Sequence, residues 1–431
     1  MLAKFSIFAP SEAARTIGEV QTGLSIAGFF QILFFFTTSI FLALIALGLI
    51  IRAQVKDGNA EKTFLIVWSI IMLLAMLGQN RFSYYFAVNV ALLTGYLCWR
   101  ILVWSYLREA LPEREKGKRK EPVIHFPGAF YPARYARVAG VAMMVFLIAI
   151  LPNIVVAMEV AREPQPPNEA WYSSLVWMSE NTPDPFEDPG FYYELYERPP
   201  SGERYDYPES AYGVMSWWDY GHWITRIAHR IPNANPFQSG AREAAQFFTA
   251  QDESSANEML DELGSKYVII DTDMANGKFP VIGIWAGKSK SYFMEVYDLD
   301  PDEGMELTTL YYPEYYRSMC SRLYNFGGEA VVPHDSTVVI SYEEVTSLFL
   351  TIKEISSTET FATYEEALEY LESQTAPNYR IVGEDCLISP VPLEELRHYK
   401  LVHVSDPEVI PAVIEGEEEQ FFYVKIFEYL P

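Results

Sequence analysis

The sequence predicts an α-helical transmembrane segment of about four helices followed by an extracytoplasmic mixed α/β domain. Two observations predict it. Uncharged apolar runs of 18 residues or more crowd the first 160 residues, and about 18–20 such residues cross a bilayer as a helix. The charge also changes sign along the chain. Residues 1–160 hold 15 Lys/Arg against 9 Asp/Glu, and residues 161–431 hold 17 against 48, for a net charge of −25. Opposite charge and unlike hydropathy call for two environments. The acid excess excludes a general nucleic-acid binder. Three cysteines exclude a disulfide scaffold; Cys98 lies in an apolar run, so at most Cys320 and Cys386 pair.

The runs 20–51, 63–80, 82–99 and 138–158 carry no charged side chain. They predict helices near 28–51, 63–80, 82–106 and 138–159, and hence an external loop segment 1–27, a membrane part 28–160 and an outer domain 161–431. The first run is too long for a signal peptide and has no small-residue cleavage site close behind it. Arg52, Lys56 and Lys62 follow helix one; Arg108, Arg114, Lys116, Lys118, Arg119, Lys120, Arg134 and Arg137 follow helix three. Basic loops face the cytoplasm. That orientation puts segment 1–27, the turn at 79–83 and the acidic domain outside a multi-pass protein of the cell membrane. Arg81 is the single charge between two uncharged runs. It either snorkels to headgroups or binds a lipid phosphate through paired hydrogen bonds.

A proline-rich exit, Glu163 to Pro167, leads to a helical pattern over Trp171, Leu175, Val176 and Met178 that ends at Asn181. Residues 184–209 read as a structured loop. Helices are expected at Arg242–Thr249, Ser254–Leu263, Glu314–Leu323 and Tyr364–Ser373. Strands are expected at Lys266–Ile270, Val281–Trp285, Thr337–Ser341, Arg380–Val382, Leu401–Val404 and Phe421–Phe427. A helix leading into a strand is the unit of an α/β core. The acidic run Glu415–Glu419 reads as a solvated turn.

Phosphate-binding GK[ST] loops, CxxC pairs, HExxH and GxSxG are absent. His222 and His229 read as satisfied or surface histidines rather than metal ligands. The unusual stretch is Ser216-Trp217-Trp218-Asp219-Tyr220-Gly221-His222-Trp223. Two tryptophans, an aspartate and a tyrosine are costly to bury without partners. Such a stretch is either an aromatic core cluster or a pocket that reads one small hydroxyl, with ring faces closing it and the carboxylate accepting the hydrogen bond.

Trp217-Trp218-Asp219-Tyr220-Gly221 resembles the WWDYG signature of the oligosaccharyltransferase catalytic subunit. A TIxE signature agrees at Thr16-Ile17-Gly18-Glu19, and Gln79 through Ala87 is similar to the archaeal form of the family, AglB. The resemblance covers essentially the whole chain. It implies transfer of a lipid-linked oligosaccharide, of dolichyl phosphate or pyrophosphate type, to the Asn of Asn-x-Ser/Thr in acceptor proteins, with Mn²⁺ or Mg²⁺. It implies acceptor-hydroxyl binding by Trp217, Trp218 and Asp219, with Tyr220 and Gly221 shaping the turn. It makes Glu19 a catalytic carboxylate and metal ligand, and Arg81 a ligand of the donor phosphate. The family's earlier helices and acidic loops have no counterpart here, so a truncated gene or one half of a split enzyme is expected, inactive without the missing N-terminal half. The family's DxxKxxM-type motif finds its counterpart in Tyr312–Leu323, which leaves open which of Tyr315, Tyr316, Met319 and Cys320 flank the pocket. The alternative from the residues is a membrane-anchored extracytoplasmic binding or sensor protein without catalysis.

Overall fold

The computed structural model describes residues 11–107, 132–163, 166–195, 197, 199–200, 205–299, 306–333, 336–347, 350–411 and 418–431. The basic positions Arg108 to Lys120 and the first residues of the acidic run, 415–417, lie outside them. The chain divides into two compact units, Met1–Pro164 and Gln165–Pro431, each taken here by itself.

The first unit contains α1 (Glu12–Arg15), α2 (Ile26–Phe36), α3 (Ser39–Lys56), α4 (Ala60–Gly78), α5 (Ser83–Leu107), α6 (Pro132–Val145) and α7 (Leu151–Arg162). Four helical stretches are long and apolar enough to cross a membrane: Ser39–Lys56, Ala60–Gly78, Asn80–Tyr106 and Tyr135–Arg162. The expected first helix, 28–51, is therefore corrected to two helices. Thr37 has a φ of 49°, a backbone region that β-branched residues avoid, and the break falls there.

The break has a partner. Pro152 has no N–H to donate to the preceding turn, and α6 runs into α7 through a π-helical turn at Phe146–Ile150. Thr38 Oγ1 donates to the Ile148 carbonyl. Asn153 Nδ2 donates to the Ala149 carbonyl at 2.9 Å and to Ser39 Oγ at 2.8 Å. Backbone groups freed at membrane depth need such side-chain partners. The helices meet along a narrow seam: Ile40, Ala43, Leu47 and Ile50 on α3, and Phe86, Val90, Leu93 and Leu97 on α5, are buried. Their alternating three- and four-residue spacing keeps one stripe facing the neighbour, and Ala43 and Ala46 allow close approach. Phe29, Phe41, Ile45, Phe64 and Leu74 stay more than 50% exposed, as side chains that meet lipid must.

The second unit opens with α8 (Glu169–Asn181), then β1 (Gly213–Met215), α9 (Gly221–Trp223), β2 (Ile231–Pro232), α10 (Ala241–Phe248), α11 (Glu253–Leu263) and β3 (Ser265–Asp271). After β3 come α12 (Phe279–Trp285), β4 (Met294–Asp298), β5 (Leu307–Tyr311), α13 (Pro313–Arg317), α14 (Met319–Tyr324), β6 (Thr337–Ser347), β7 (Leu350–Phe361) and α15 (Tyr364–Ser373). The chain ends with β8 (Tyr379–Val382), β9 (Tyr399–Val404), β10 (Pro407–Pro411), β11 (Glu418–Phe422) and β12 (Val424–Tyr429). One five-stranded sheet has the order β2-β1-β3-β12-β9 and a second the order β5-β4-β7-β6-β8.

Three expectations change here. The strand expected at Val281–Trp285 is the helix α12: Pro280 suits a first helical turn, and Phe279, Ile282 and Gly283 bury one face at helical spacing. The helix expected at Glu314–Leu323 breaks at Ser318, whose side chain caps α14 by accepting from Ser321 N. The strand expected at Phe421–Phe427 is two strands divided at Tyr423. Cys320 and Cys386 are free thiols, so the one pairing the sequence allowed is not made.

Candidate functional site

β1 and β3 are parallel neighbours, with Val214 opposite Tyr267 and Met215 opposite Val268. Their carboxyl ends therefore open at the same edge of the sheet, where ligands of α/β proteins commonly bind. The chain leaving β1 is Ser216-Trp217-Trp218-Asp219-Tyr220; the chain leaving β3 is Asp271 to Lys278.

Trp218–Tyr220 forms one tight 3-10 turn that continues into α9. Gly221 closes it: a β-carbon there would collide with the Ala234 carbonyl. Trp217, 1% exposed, stands in the core. Its ring lies 6.0 Å from that of Trp218, and both lie 6.2 Å from that of Trp285. The Trp218 indole N–H is buried without a hydrogen-bond partner. Asp219, about one-third exposed at its side chain, meets Lys278 Nζ at 2.9 Å. Lys278 Nζ also donates to the Tyr220 hydroxyl at 3.0 Å.

Below the turn lies Asp271, with no exposed surface. Trp171 Nε1 donates to its Oδ2 at 2.8 Å and Met274 N to its Oδ1 at 2.8 Å. Burial raises the Asp271 pKa, against hydrogen bonds from Tyr220, Met274 and Trp171 that lower it. Burial, then the Asp271 charge, pushes the Tyr220 phenol far above its ordinary value, so it stays protonated. The turn thus rests on a chain of polar contacts from Asp219 through Lys278 and Tyr220 to Asp271 and Trp171.

The structure brings Trp217, Trp218, Asp219, Tyr220 and Gly221 together. Tyr315, Tyr316, Met319 and Cys320 are fully buried. Tyr315 packs on Phe279 with ring centroids 5.1 Å apart and donates to the Ala275 carbonyl at 3.1 Å; Tyr316 donates to the Asp385 carbonyl. They back the segment after β3, and the lysine that reaches Asp219 comes from that segment instead. Sequence reasoning missed Lys278, Asp271 and Trp171. The available signal was the helix–strand unit ending at Asp271, since a parallel strand ends where a site forms. His229 stacks on Tyr192 at 5.0 Å and His222 meets Phe237 edge-on at 5.5 Å.

In the first unit, the short turn Gly18–Val20 that carries Glu19 packs on the turn Asn80–Phe82 that carries Arg81. Asn80 N donates to the Gln21 carbonyl at 2.9 Å, and Thr22 Oγ1 donates to the Leu77 carbonyl at 2.8 Å. Two positions some sixty residues apart in sequence thereby share one face. The Glu19 side chain lies outside the described groups. Among the described residues, no group of three or more His, Cys, Asp or Glu side chains is placed to hold a metal ion.

Fold and site define a polytopic membrane protein whose α/β unit ends two parallel strands in an aromatic turn bearing a carboxylate. The AglB core domain family matches residues 168–275, which hold α8, the turn and β3. The dolichyl-monophosphooligosaccharide–protein glycotransferase AglB of Haloferax volcanii is 33% identical over 84% of this chain and 36% of its own length. Dolichyl-phosphooligosaccharide-protein glycotransferase 3 of Archaeoglobus fulgidus is 38% identical over 54% of this chain and 26% of its own. The crystal structure of an Archaeoglobus fulgidus oligosaccharyltransferase, tethered to an acceptor peptide with the NVT sequon, superposes with a TM-score of 0.63 and 25% identity. That superposition covers 97% of this chain and 50% of the other. The chain thus spans between about a quarter and a half of the length of these proteins. It is AglB-like: it resembles the archaeal oligosaccharyltransferases in sequence and in fold.

Proposed function

We propose that this chain takes part in protein N-glycosylation as the portion of a membrane oligosaccharyltransferase that reads the acceptor's hydroxyl residue and holds the donor's phosphate. The observation that carries this reading is the buried, unpartnered Trp218 N–H, one residue before the partly exposed Asp219 carboxylate. A Ser or Thr hydroxyl two residues after the acceptor Asn offers lone pairs to the indole and a proton to the carboxylate. Lys278 holds Oδ2 of Asp219, which orients Oδ1 toward the peptide. An Ala in place of the hydroxyl leaves the polar groups unmatched, so rejection exceeds the loss of one bond. The names of the relatives support a dolichyl-linked phosphate donor, with Arg81 as its ligand. The amide nitrogen of Asn is a poor nucleophile because its lone pair is delocalised, and a carboxylate such as Glu19 that accepts its N–H weakens that delocalisation. Glu19 is also the chain's candidate ligand for Mn²⁺ or Mg²⁺. One carboxylate supplies at most two of the roughly six oxygens such ions take, so the described residues do not by themselves form that site. The basic loops orient the second unit away from the cytoplasm.

Binding of Asn-x-Thr, Asn-x-Ser and Asn-x-Ala peptides to the chain tests the reading. Thr is expected above Ser by ~1 kcal/mol for one buried methyl, and Ala is expected to fail. Asp219→Ala and Trp218→Phe, folded by circular dichroism, should lose the preference for Thr over Ala. Retention of that preference by both variants would remove the pocket assignment.

A further inference from the structure

Beside Arg81 lies a cavity of about 330 Å³. Gln31, Asn80, Arg81 and Ser83 line it with polar groups, and Phe35, Phe36, Tyr84 and Ala87 complete its wall. Asn80 and Ser83 are 4% and 9% exposed, and Asn80 Oδ1 and Ser83 Oγ have no hydrogen-bond partner. A buried hydroxyl left unpaired is unfavourable, so its retention points to a ligand. The niche also sits at the amino end of the Asn80–Tyr106 span. The positive end of a helix dipole favours an anion there, and Arg81 adds a full charge. Asn80 is fixed on two sides, its Nδ2 donating to Gln31 Oε1 and its N–H to the Gln21 carbonyl. With Nδ2 so engaged, Oδ1 can only accept, which suits the P–OH of a phosphate monoester.

We propose that Ser83 completes a phosphate niche with Arg81 for a lipid phosphate: its hydroxyl donates to a phosphate oxygen while the first carbons of the lipid lie against Phe35 and Phe36. This rests on the reading of Arg81 as the donor-phosphate ligand and adds a second hydrogen-bond donor to the same phosphate. A niche lined by both polar and aromatic side chains fits a phosphate that carries an apolar chain better than free phosphate. Both tyrosines that follow, Tyr84 and Tyr85, are mostly exposed, so Ser83 is the buried hydroxyl at this helix end.

The test uses the full chain in phosphatidylcholine nanodiscs, titrated separately with dolichyl phosphate, dolichol and inorganic phosphate, with lipid occupancy read by native mass spectrometry. Saturable binding of dolichyl phosphate is expected, with dolichol and inorganic phosphate far weaker. Ser83→Ala should weaken it about tenfold, the scale of a hydrogen bond to a charged group, and Ser83→Thr should stay within about twofold of wild type. Circular dichroism checks that the variants are folded. Wild-type affinity in Ser83→Ala, with binding lost in Arg81→Ala, overturns the Ser83 niche and leaves the Arg81 reading standing. Wild-type affinity in Arg81→Ala overturns the Arg81 reading itself. Equal binding of dolichol and dolichyl phosphate overturns both, and inorganic phosphate binding as tightly as dolichyl phosphate overturns the lipid part.

Discussion

The two units hold their candidate site residues in different ways. In the second unit, the Trp218–Tyr220 turn stands on side chains with almost no exposure: Trp217, Tyr220, Asp271 and Trp171. In the membrane unit, the segments of Glu19 and Arg81 are tied by a few hydrogen bonds, among them Asn80 N to the Gln21 carbonyl and Thr22 Oγ1 to the Leu77 carbonyl. The first arrangement makes the site an extension of the core. The second lets two loops meet without a core of their own, and a loop held by a few bonds opens at low cost. Damage beneath the Trp218–Tyr220 turn should therefore appear as lost stability, and damage around Arg81 as a local change on an intact fold.

The largest expected effect tests the first half of that contrast. Trp171→Ala removes a 2% exposed indole and should destabilise the second unit by ~3–5 kcal/mol. Trp171→Phe keeps most of the volume but strips Asp271 of one donor, for ~1.5–3 kcal/mol. Denaturant unfolding read by the near-ultraviolet aromatic signal measures both. If Trp171→Ala shifts the midpoint no more than Trp171→Phe, the ring does not support the turn.

Lys278→Met sharpens the boundary between support and recognition. Its ion pair with Asp219 is about one-third exposed on both sides, and such pairs contribute less than ~1 kcal/mol to stability. The melting point should barely move, while the discrimination between Asn-x-Thr and Asn-x-Ala peptides falls. A large loss of stability with unchanged peptide preference would make Lys278 part of the scaffold.

The sequence made much of this legible, unevenly and for physical reasons. Four uncharged runs give the membrane helices because the bilayer imposes length and apolarity. They could not show the break at Thr37, which depends on carbonyls released more than 100 residues later near Pro152. Amphipathic segments such as Tyr364–Ser373 were legible to the residue, whereas α12 reads as a strand because its apolar run Val281–Trp285 is too short for periodicity to decide. The WWDYG stretch stands out because it is contiguous and rich in tryptophan. Lys278 and Asp271 reach it only through the parallel pairing of β1 with β3, a long-range fact that no local pattern carries.

At the membrane side, Thr22→Val removes two exposed hydrogen bonds of Oγ1, one donated to the Leu77 carbonyl and one accepted from Leu24 N. The expected cost is ~1–2 kcal/mol, too small to unfold the helices. Hydrogen exchange should quicken around residues 22–25 and 77–82 alone. Exchange that quickens along the whole of α4 and α5 would mean that this turn shares the stability of the helices, and the contrast between the units would weaken.

The smallest expected effect is a slope in pH. His403 on β9 stacks on Trp177, with ring centroids 4.5 Å apart and planes 18° from parallel, and its Nε2 lies 3.1 Å from the fully buried Ser174 hydroxyl. A neutral imidazole accepts from that hydroxyl or donates to it according to its tautomer; a protonated one can only donate. Burial lowers the His403 pKa, with Asp406 opposing. The folded state therefore binds fewer protons than the unfolded chain between the depressed pKa and about 6.5. Stability is fully present above about pH 6.5 and falls as the pH drops through the lowered folded-state pKa. His403→Gln keeps a hydrogen-bonding group and removes the titration. The fall in urea midpoint from pH 7.5 to 5.5 should be smaller in His403→Gln than in wild type. Equal falls in the two proteins would assign the acid sensitivity of this unit to its carboxylates, and the Trp177–His403 stack would then be a packing contact without electrostatic consequence.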